Sequence, residues 1–451
     1  MYKSVLKNLF SGLIIIFIFN SIFFSISLWT DTIRSLINID YFLVLLFLFF
    51  KRKTLYICFF LIISFIDFIN IFFQIFPIIR LENLFYLLKF SLLSSNVYKI
   101  FSFAVLIMVF IQIFLIQKIY KEKQNFNLII IFNIFLFILL GKNIFSKTED
   151  NLFSEKINYI VSSGFGDYLK SRNKLFLELF EKKGPAFQKI KGEKIYFDES
   201  HKKILFIINE SWGVPYDSNI QKEVIKPILD LKRKRLENII LDNKKFSGFT
   251  LSAELRELCQ LIPLHYNLKN QNIGFEECIP NLMKKSGYKT ISVHGALGLM
   301  YDREYWYPRA GFSESLFQDS GLNLPNSRCF SFPGNCDRDI AMRVIEQFKK
   351  NDKIFLYWLT LNTHAVYDKR DLKKDDFKCN IFNIIEDSEV CRNLKLQRQF
   401  FSILADVVSS PALNGSKVII VGDHIPPLFQ KQNNIFVDGV VPKIEFNINP
   451  N

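Results

Sequence analysis

The 451-residue chain is long enough for two domains, and its composition divides it. Half of its residues are hydrophobic, but the apolar excess lies before about residue 145 and most of the charge after it, which argues against a uniform soluble globule. The net charge of +14 comes without a nucleic-acid recognition motif. The basic clusters Lys51-Arg52-Lys53 and Lys118 to Lys123 flank apolar runs, so membrane topology accounts for them better than nucleic acid does.

Apolar segments run from Leu9 to Leu28, Leu36 to Phe50, Leu55 to Ile79, Val97 to Gln117 and Asn127 to Leu140. The first, third and fourth reach the roughly 20 residues that a bilayer crossing needs. Lys3 and Lys7 precede the first run, which is too long for a simple signal core. With those lysines in the cytoplasm, about five spans keep both basic clusters there as well. Everything after about residue 141 then lies outside the cytoplasm. Asp67 falls within the third run, either as a functional carboxylate or as one paired inside the bundle. The stretch from Leu81 to Ser95 has the pattern of an interfacial helix. The expected division is a helical transmembrane domain over 1–145, a helical linker over 146–200 and an extracytoplasmic domain over 201–451.

Six of the seven cysteines fall in the last part; Cys58 reads as a free core thiol. An even count fits an oxidising compartment. Nearest-neighbour pairing gives Cys259–Cys278, Cys329–Cys336 and Cys379–Cys391, one of fifteen pairings.

From Lys202 onward strand-like and helix-like patterns alternate. Apolar runs at Ile204–Ile208, Thr290–Val293, Ile354–Leu361 and Val418–Val421 are separated by helical periodicity, as at Cys278–Lys285 and Asp339–Lys349. That alternation predicts an α/β domain with a central, largely parallel sheet. Such sheets bind ligands beyond the carboxyl ends of their strands. Each run here ends in reactive side chains: Asn209-Glu210-Ser211, His294-Gly295, Asn362-Thr363-His364 and Gly422-Asp423-His424. Three of the five histidines occupy these positions; His201 and His265 read as ordinary.

Glu210, Asp423 and His424 form a mixed oxygen and nitrogen set for one divalent cation. Zinc or manganese suits it first, and magnesium is a further choice. The nucleophile this set calls for is Thr250, after the glycine-containing turn Phe246-Ser247-Gly248-Phe249 and before a helical pattern. A hydroxyl at a helix N-terminus meets free N–H groups and the positive dipole end. A threonine there is equally a common helix cap, and the local pattern leaves both readings open.

The order Asn209-Glu210-Ser211, Thr250-x-x-Ala253-Glu254, Asn362-Thr363-His364 and Gly422-Asp423-His424 resembles the alkaline phosphatase/sulfatase superfamily. It is most similar to the membrane-anchored branch of lipoteichoic acid synthases and lipid A phosphoethanolamine transferases. The resemblance implies that Glu210, Thr250, Asp423 and His424 hold the metal and that Thr250 takes the phosphoryl group. It implies that His364, Arg303 and His294 bind substrate, Arg303 through its likeness within Tyr301-Asp302-Arg303. It further implies a phospholipid donor carrying phosphoglycerol or phosphoethanolamine, a surface glycan or lipid acceptor, and a catalytic domain on the outer face of the cell's inner membrane. Thr250 lacks the Cys/Ser-x-Pro-x-Arg context of sulfate-ester hydrolases, and no histidine follows His424. Hydrolysis at the same site, and a non-catalytic sensor on the same fold, are the competing expectations.

Overall fold

A computed structural model describes residues 2–29, 32, 34–50, 52–75, 96–122, 161–166, 187–189, 200–231, 235–246, 248–263, 268–269, 271–428 and 434–450. The fifth apolar run, the stretch 81–95, most of the linker and His265 lie outside them. The chain forms two compact units, the first holding Met1–Ile79, Tyr98–Lys182 and Phe429–Gln432, the second Arg80–Val97, Lys183–Leu428 and Asn433–Asn451.

In the first unit, helices α1 (Tyr2–Trp29), α2 (Tyr41–Phe49), α3 (Lys53–Ile75) and α4 (Asn96–Glu122) follow the apolar runs. Strands β1 (Ile37–Asn38) and β2 (Val161–Ser162) pair in parallel. Among the described residues one helical stretch, Thr54–Phe72, is long and apolar enough to cross a membrane; Ile14–Leu28 and Ser102–Lys118 are shorter apolar stretches. Ile100, Phe103, Ile107, Phe110 and Phe114 recur at helical spacing on α4 and are all exposed. An uncovered apolar stripe of this kind suits an apolar surrounding. Cys58 is free and exposed, so it is not the core thiol expected: its position on α3 turns outward. Asp67 is paired within the unit. It accepts from Arg34 Nη2 at 2.8 Å and from the Tyr41 hydroxyl at 3.0 Å.

The second unit is built on a seven-stranded sheet ordered β5-β11-β10-β4-β9-β7-β8. Its strands are β4 (Lys203–Asn209), β5 (Leu236–Lys245), β7 (Lys289–His294), β8 (Glu314–Leu316), β9 (Ile354–Leu359), β10 (Lys417–Gly422) and β11 (Val440–Ile448). The five from β10 to β8 are parallel, and β11 runs antiparallel to both neighbours. A two-stranded pair joins β3 (Phe187–Lys189) to β6 (Leu261–Pro263).

Helices cover both faces, which is why the central strands read as unbroken apolar runs. Alternate residues serve opposite layers. Leu205, Ile207, Leu356, Trp358, Val418 and Ile420 pack with α10 (Asp337–Lys350) and α11 (Glu389–Ser409). Ile204, Phe206, Ile208, Phe355 and Tyr357 pack with α7 (Thr250–Cys259), α8 (Ile279–Lys285) and α9 (Arg303–Ala310). Two short helices, α5 (Ser218–Val224) and α6 (Lys226–Leu229), follow β4. Each fully buried large apolar side chain in these layers contributes about 1.5–3 kcal/mol.

Disulfides Cys259–Cys278 and Cys379–Cys391 are formed. The first joins the end of α7 to the cap of α8, and the second anchors the start of α11. Cys329 and Cys336 are not bonded, contrary to nearest-neighbour pairing. Their sulfurs lie 2.7 Å apart, beyond the bond length of about 2.05 Å.

Candidate active site

The four strand ends picked out by sequence belong to four consecutive strands. β10, β4, β9 and β7 lie side by side and parallel, so their carboxyl ends open onto one edge. Across that edge stand Asp423 and His424, then Asn209 to Ser211, then Thr360 to His364, then His294. Gly422 lets β10 lie close against the backbone of Trp212: a Cβ on it would stand 2.3 Å from the Trp212 carbonyl oxygen.

Thr250 reaches the edge from α7. It is the first helical residue, with extended Phe249 as the cap and no side-chain capping bond. Gly248 fits the turn because a Cβ would collide with the Phe246 ring at 2.3 Å. The Thr250 hydroxyl does not fold back onto the helix N–H groups as a capping threonine's would. It points instead at two carboxylates, 3.1 Å from Glu210 Oε2 and 2.9 Å from Asp423 Oδ2. His424 Nε2 lies 3.4 Å from Glu210 Oε1 and 3.2 Å from Asp423 Oδ2. Its ring is fixed from behind by Nδ1, which donates to the Ile425 carbonyl at 2.8 Å. Glu210, Thr250 and Asp423 are buried.

This donor set fits a divalent cation. One hydroxyl carries one proton and cannot satisfy both carboxylates. Burial and the neighbouring Glu210 charge push Asp423 well above the ordinary carboxylate range. Burial also pushes Glu210 up, but the His364 and His424 imidazoles outweigh it and hold its carboxyl below that range. Burial works against a charged His424, yet Asp423 and Glu210 lift it to about 9. The cluster therefore draws positive charge to one point, where Glu210, Asp423 and His424 can each offer a ligand atom within 4.8 Å of the others. Two carboxylates, an imidazole and a hydroxyl are ligands suited to zinc or manganese.

The other three expected residues make no direct hydrogen bond to this cluster, although the His364 and His294 imidazoles interact electrostatically with Glu210. His364 is half-buried behind β9; its Nδ1 is engaged by the Ala365 carbonyl and its ring packs on Phe332. His294 is buried at the end of β7 and donates from Nδ1 to the Leu359 carbonyl at 3.1 Å. Burial and the Arg303 charge lower its pKa to about 3, so the ring is neutral and Nε2 carries a lone pair. Arg303 Nη1 faces that nitrogen at 3.5 Å. The guanidinium is otherwise bound to Glu254, with Nε and Nη2 at 3.0 and 2.8 Å from Oε2. Tyr307 and Tyr357 hydroxyls also donate to Glu254.

Several residues that shape the edge had no individual role in the sequence reading, although Thr363 and Glu254 stood within its motifs. Thr360 Oγ1 accepts from the Glu210 N–H at 2.9 Å, and Thr363 Oγ1 donates to the Glu210 carbonyl at 2.6 Å. Gln397 Nε2, on α11, donates to the carbonyls of Glu210 and Ser211, both at 2.9 Å. Glu254 had a local signal as a carboxylate one helical turn after Thr250 on a helix of apolar pattern, and Thr363 one as part of a strand end.

Solved structures with a similar fold include three titled as transferases or synthases. Lipoteichoic acid synthase LtaP from Listeria monocytogenes is 16% identical, covering 54% of this chain and 64% of that one, with a TM-score of 0.43. Phosphoglycerol transferase GacH from Streptococcus pyogenes, in complex with sn-glycerol-1-phosphate, is 15% identical, covering 55% and 67%, with a TM-score of 0.38. Lipooligosaccharide phosphoethanolamine transferase A (EptA) from Neisseria meningitidis is 9% identical, covering 77% and 68%, with a TM-score of 0.40. No curated protein matches the sequence. The sulfatase profile matches residues 202–439, over half of the chain and all four strand ends that build the site. The chain belongs to the sulfatase family.

Proposed function

We propose that this protein is a metal-dependent phosphotransferase that moves a phospholipid head group, phosphoglycerol or phosphoethanolamine, onto a surface glycan or lipid. The observation that carries the reading is the Thr250 hydroxyl, set between Glu210 Oε2 and Asp423 Oδ2 at the start of a helix. Glu210, Thr250, Asp423 and His424 would hold one zinc or manganese ion. When bound, that ion would lower the hydroxyl's pKa and offset charge on the phosphoryl oxygens.

Thr250 Oγ1 gives up its proton to one of the carboxylates it donates to, Glu210 or Asp423, and attacks the phosphorus. The phosphorus–oxygen bond to diacylglycerol breaks, and diacylglycerol leaves with a proton. The resulting phosphothreonine diester is opened by an acceptor hydroxyl, which restores Thr250. The N–H groups at the start of α7 orient the phosphoryl oxygens. His364, with Nδ1 taken by a carbonyl, has Nε2 left to hand a proton to the departing oxygen. Arg303 and His294 line the head-group side.

A lipid donor gives the first unit its purpose. About five spans, a linker over 146–200 and an extracytoplasmic catalytic domain from 201 onward are the arrangement we propose, at the inner membrane. The exposed apolar stripe on α4 supports the membrane part, and two disulfides in the second unit support an oxidising compartment.

The test uses phospholipid labelled in the head group, the full chain in detergent and an extract of surface glycans. Label moves to the acceptor with the wild type and not with Thr250→Ala. Label released only as free head group would replace transfer by hydrolysis, and wild-type rates in Thr250→Ala would overturn the mechanism.

A further inference from the structure

Ser211 is fully buried and touches both carboxylates of the site. Its backbone N–H donates to Asp423 Oδ1 at 2.7 Å, and its hydroxyl donates to Glu210 Oε1 at 3.0 Å. Asp423 Oδ1 also accepts the His424 N–H at 2.6 Å, so both lone pairs of that oxygen are engaged. The opposite oxygens, Glu210 Oε2 and Asp423 Oδ2, are the pair facing Thr250. Each carboxylate thus has one oxygen held by Ser211 and one turned to the nucleophile.

This double contact requires a backbone that serine avoids. Ser211 has φ +52°, in the left-handed region where a Cβ is strained. The surroundings enforce it. The Ser211 carbonyl accepts from Asn393 Nδ2 at 3.0 Å and Gln397 Nε2 at 2.9 Å, four residues apart on α11. The Glu210 carbonyl is fixed by Gln397 and Thr363. Glycine would relieve the strain, but it would leave Glu210 Oε1 without its hydroxyl partner.

We propose that Ser211 is a positioning residue that sets how the carboxylates meet the cation: Asp423 through Oδ2 alone and Glu210 through Oε2. The inference rests on the metal-site reading above. It concerns selectivity, because single-oxygen carboxylates suit a small ion with few ligands. Calcium instead gathers 6–8 oxygens and uses two-oxygen carboxylates.

The test measures ion binding to the full chain in detergent: Mn²⁺ by electron paramagnetic resonance, Zn²⁺ and Ca²⁺ by chelator competition. The variants are Ser211→Gly, which is free of backbone strain, and Ser211→Ala. Ser211→Gly should keep the wild-type Tm or exceed it while its Mn²⁺ Kd rises about ten-fold or more, the usual effect of losing a partner that orients a metal ligand. Its preference for Mn²⁺ over Ca²⁺ should narrow. Ser211→Ala should lose Mn²⁺ affinity in the same direction. Mn²⁺ affinities within about two-fold of wild type in both variants would overturn the proposal. A Ser211→Gly variant that loses Tm and binds all three ions equally less well would assign Ser211 a structural role only, and would overturn it too. A wild type that binds neither Mn²⁺ nor Zn²⁺ would remove the metal-site reading itself; binding by wild type with unchanged variants removes this inference alone.

Discussion

Glu254 and Arg303 form a buried, two-pronged ion pair, with Nη2 2.8 Å and Nε 3.0 Å from Oε2. The guanidinium side chain is 3% exposed and the carboxylate 0%. Glu254 lies one turn beyond Thr250 on α7, while Arg303 opens α9, so the pair ties the helix that carries Thr250 to α9. Removing one partner strands the other's charge in the core, at a cost of about 3–5 kcal/mol, whereas replacing both with apolar residues costs much less. Glu254→Leu and Arg303→Met should each destabilise by that amount. The double variant should recover most of it. Urea unfolding followed by tryptophan fluorescence reads this unit, because Trp212, Trp306 and Trp358 are all buried in it. A double variant that costs the sum of the singles would sink the account.

His294 supplies a pH test. Burial, then the Arg303 charge, lowers its folded pKa to about 3, against about 6.5 for a free imidazole. Between those values the unfolded chain binds a proton that the folded chain refuses. Stability from this group is therefore complete above pH 6.5 and declines as pH falls toward 3, by about 1.4 kcal/mol per unit. Other buried acids titrate in the same window, so the informative quantity is the difference between wild type and His294→Gln. The variant should lose the smaller share of its stability between pH 6.5 and 4. Parallel stability curves would refute a neutral buried His294.

The disulfide Cys379–Cys391 closes a segment of sequence separation 12 just before α11, the helix that carries Asn393 and Gln397. Closing a loop of that size restrains the unfolded chain by about 3 kcal/mol. Cys379→Ser with Cys391→Ser should lower stability by roughly that much in the same urea titration. A change below about 0.5 kcal/mol would mean that the bond restrains nothing the fold does not already hold.

The four central strands were legible because burial on both faces turns each into an apolar run, and their reactive ends stood out against that background. β5 and β11 were not. They form the antiparallel margin, and Leu236–Lys245 is mostly exposed, so its pattern carries no continuous apolar face. α11 was hidden for the opposite reason: buried Asn393, Gln397 and Gln399 interrupt its apolar stripe with side chains that serve the site or neighbouring backbone. The convergence of Glu210 with Asp423 spans 213 positions, and only the parallel register of β4 with β10 brings it about. Thr250 was ambiguous in sequence because a cap and a nucleophile share residue type and position; in the structure its hydroxyl turns to Glu210 and Asp423, a direction no sequence pattern carries.

That direction makes a prediction for ion removal. An ion that binds only the folded site stabilises it, by about 2.7 kcal/mol at a hundred times Kd. Chelator should therefore lower the Tm of the wild type, and added Mn²⁺ or Zn²⁺ should restore it. Asp423→Asn and His424→Ala each remove a ligand atom, so their Tm should respond little to either treatment. Thr250→Ala keeps both carboxylates and the imidazole, so it should retain part of the response while losing all transfer. Under the proposed reading these variants separate ion binding, carried mainly by Glu210, Asp423 and His424, from chemistry at the Thr250 hydroxyl. An equal Tm response in Asp423→Asn and wild type would place the ion elsewhere. A Thr250→Ala variant with no response would make the hydroxyl a principal ligand instead of chiefly the nucleophile.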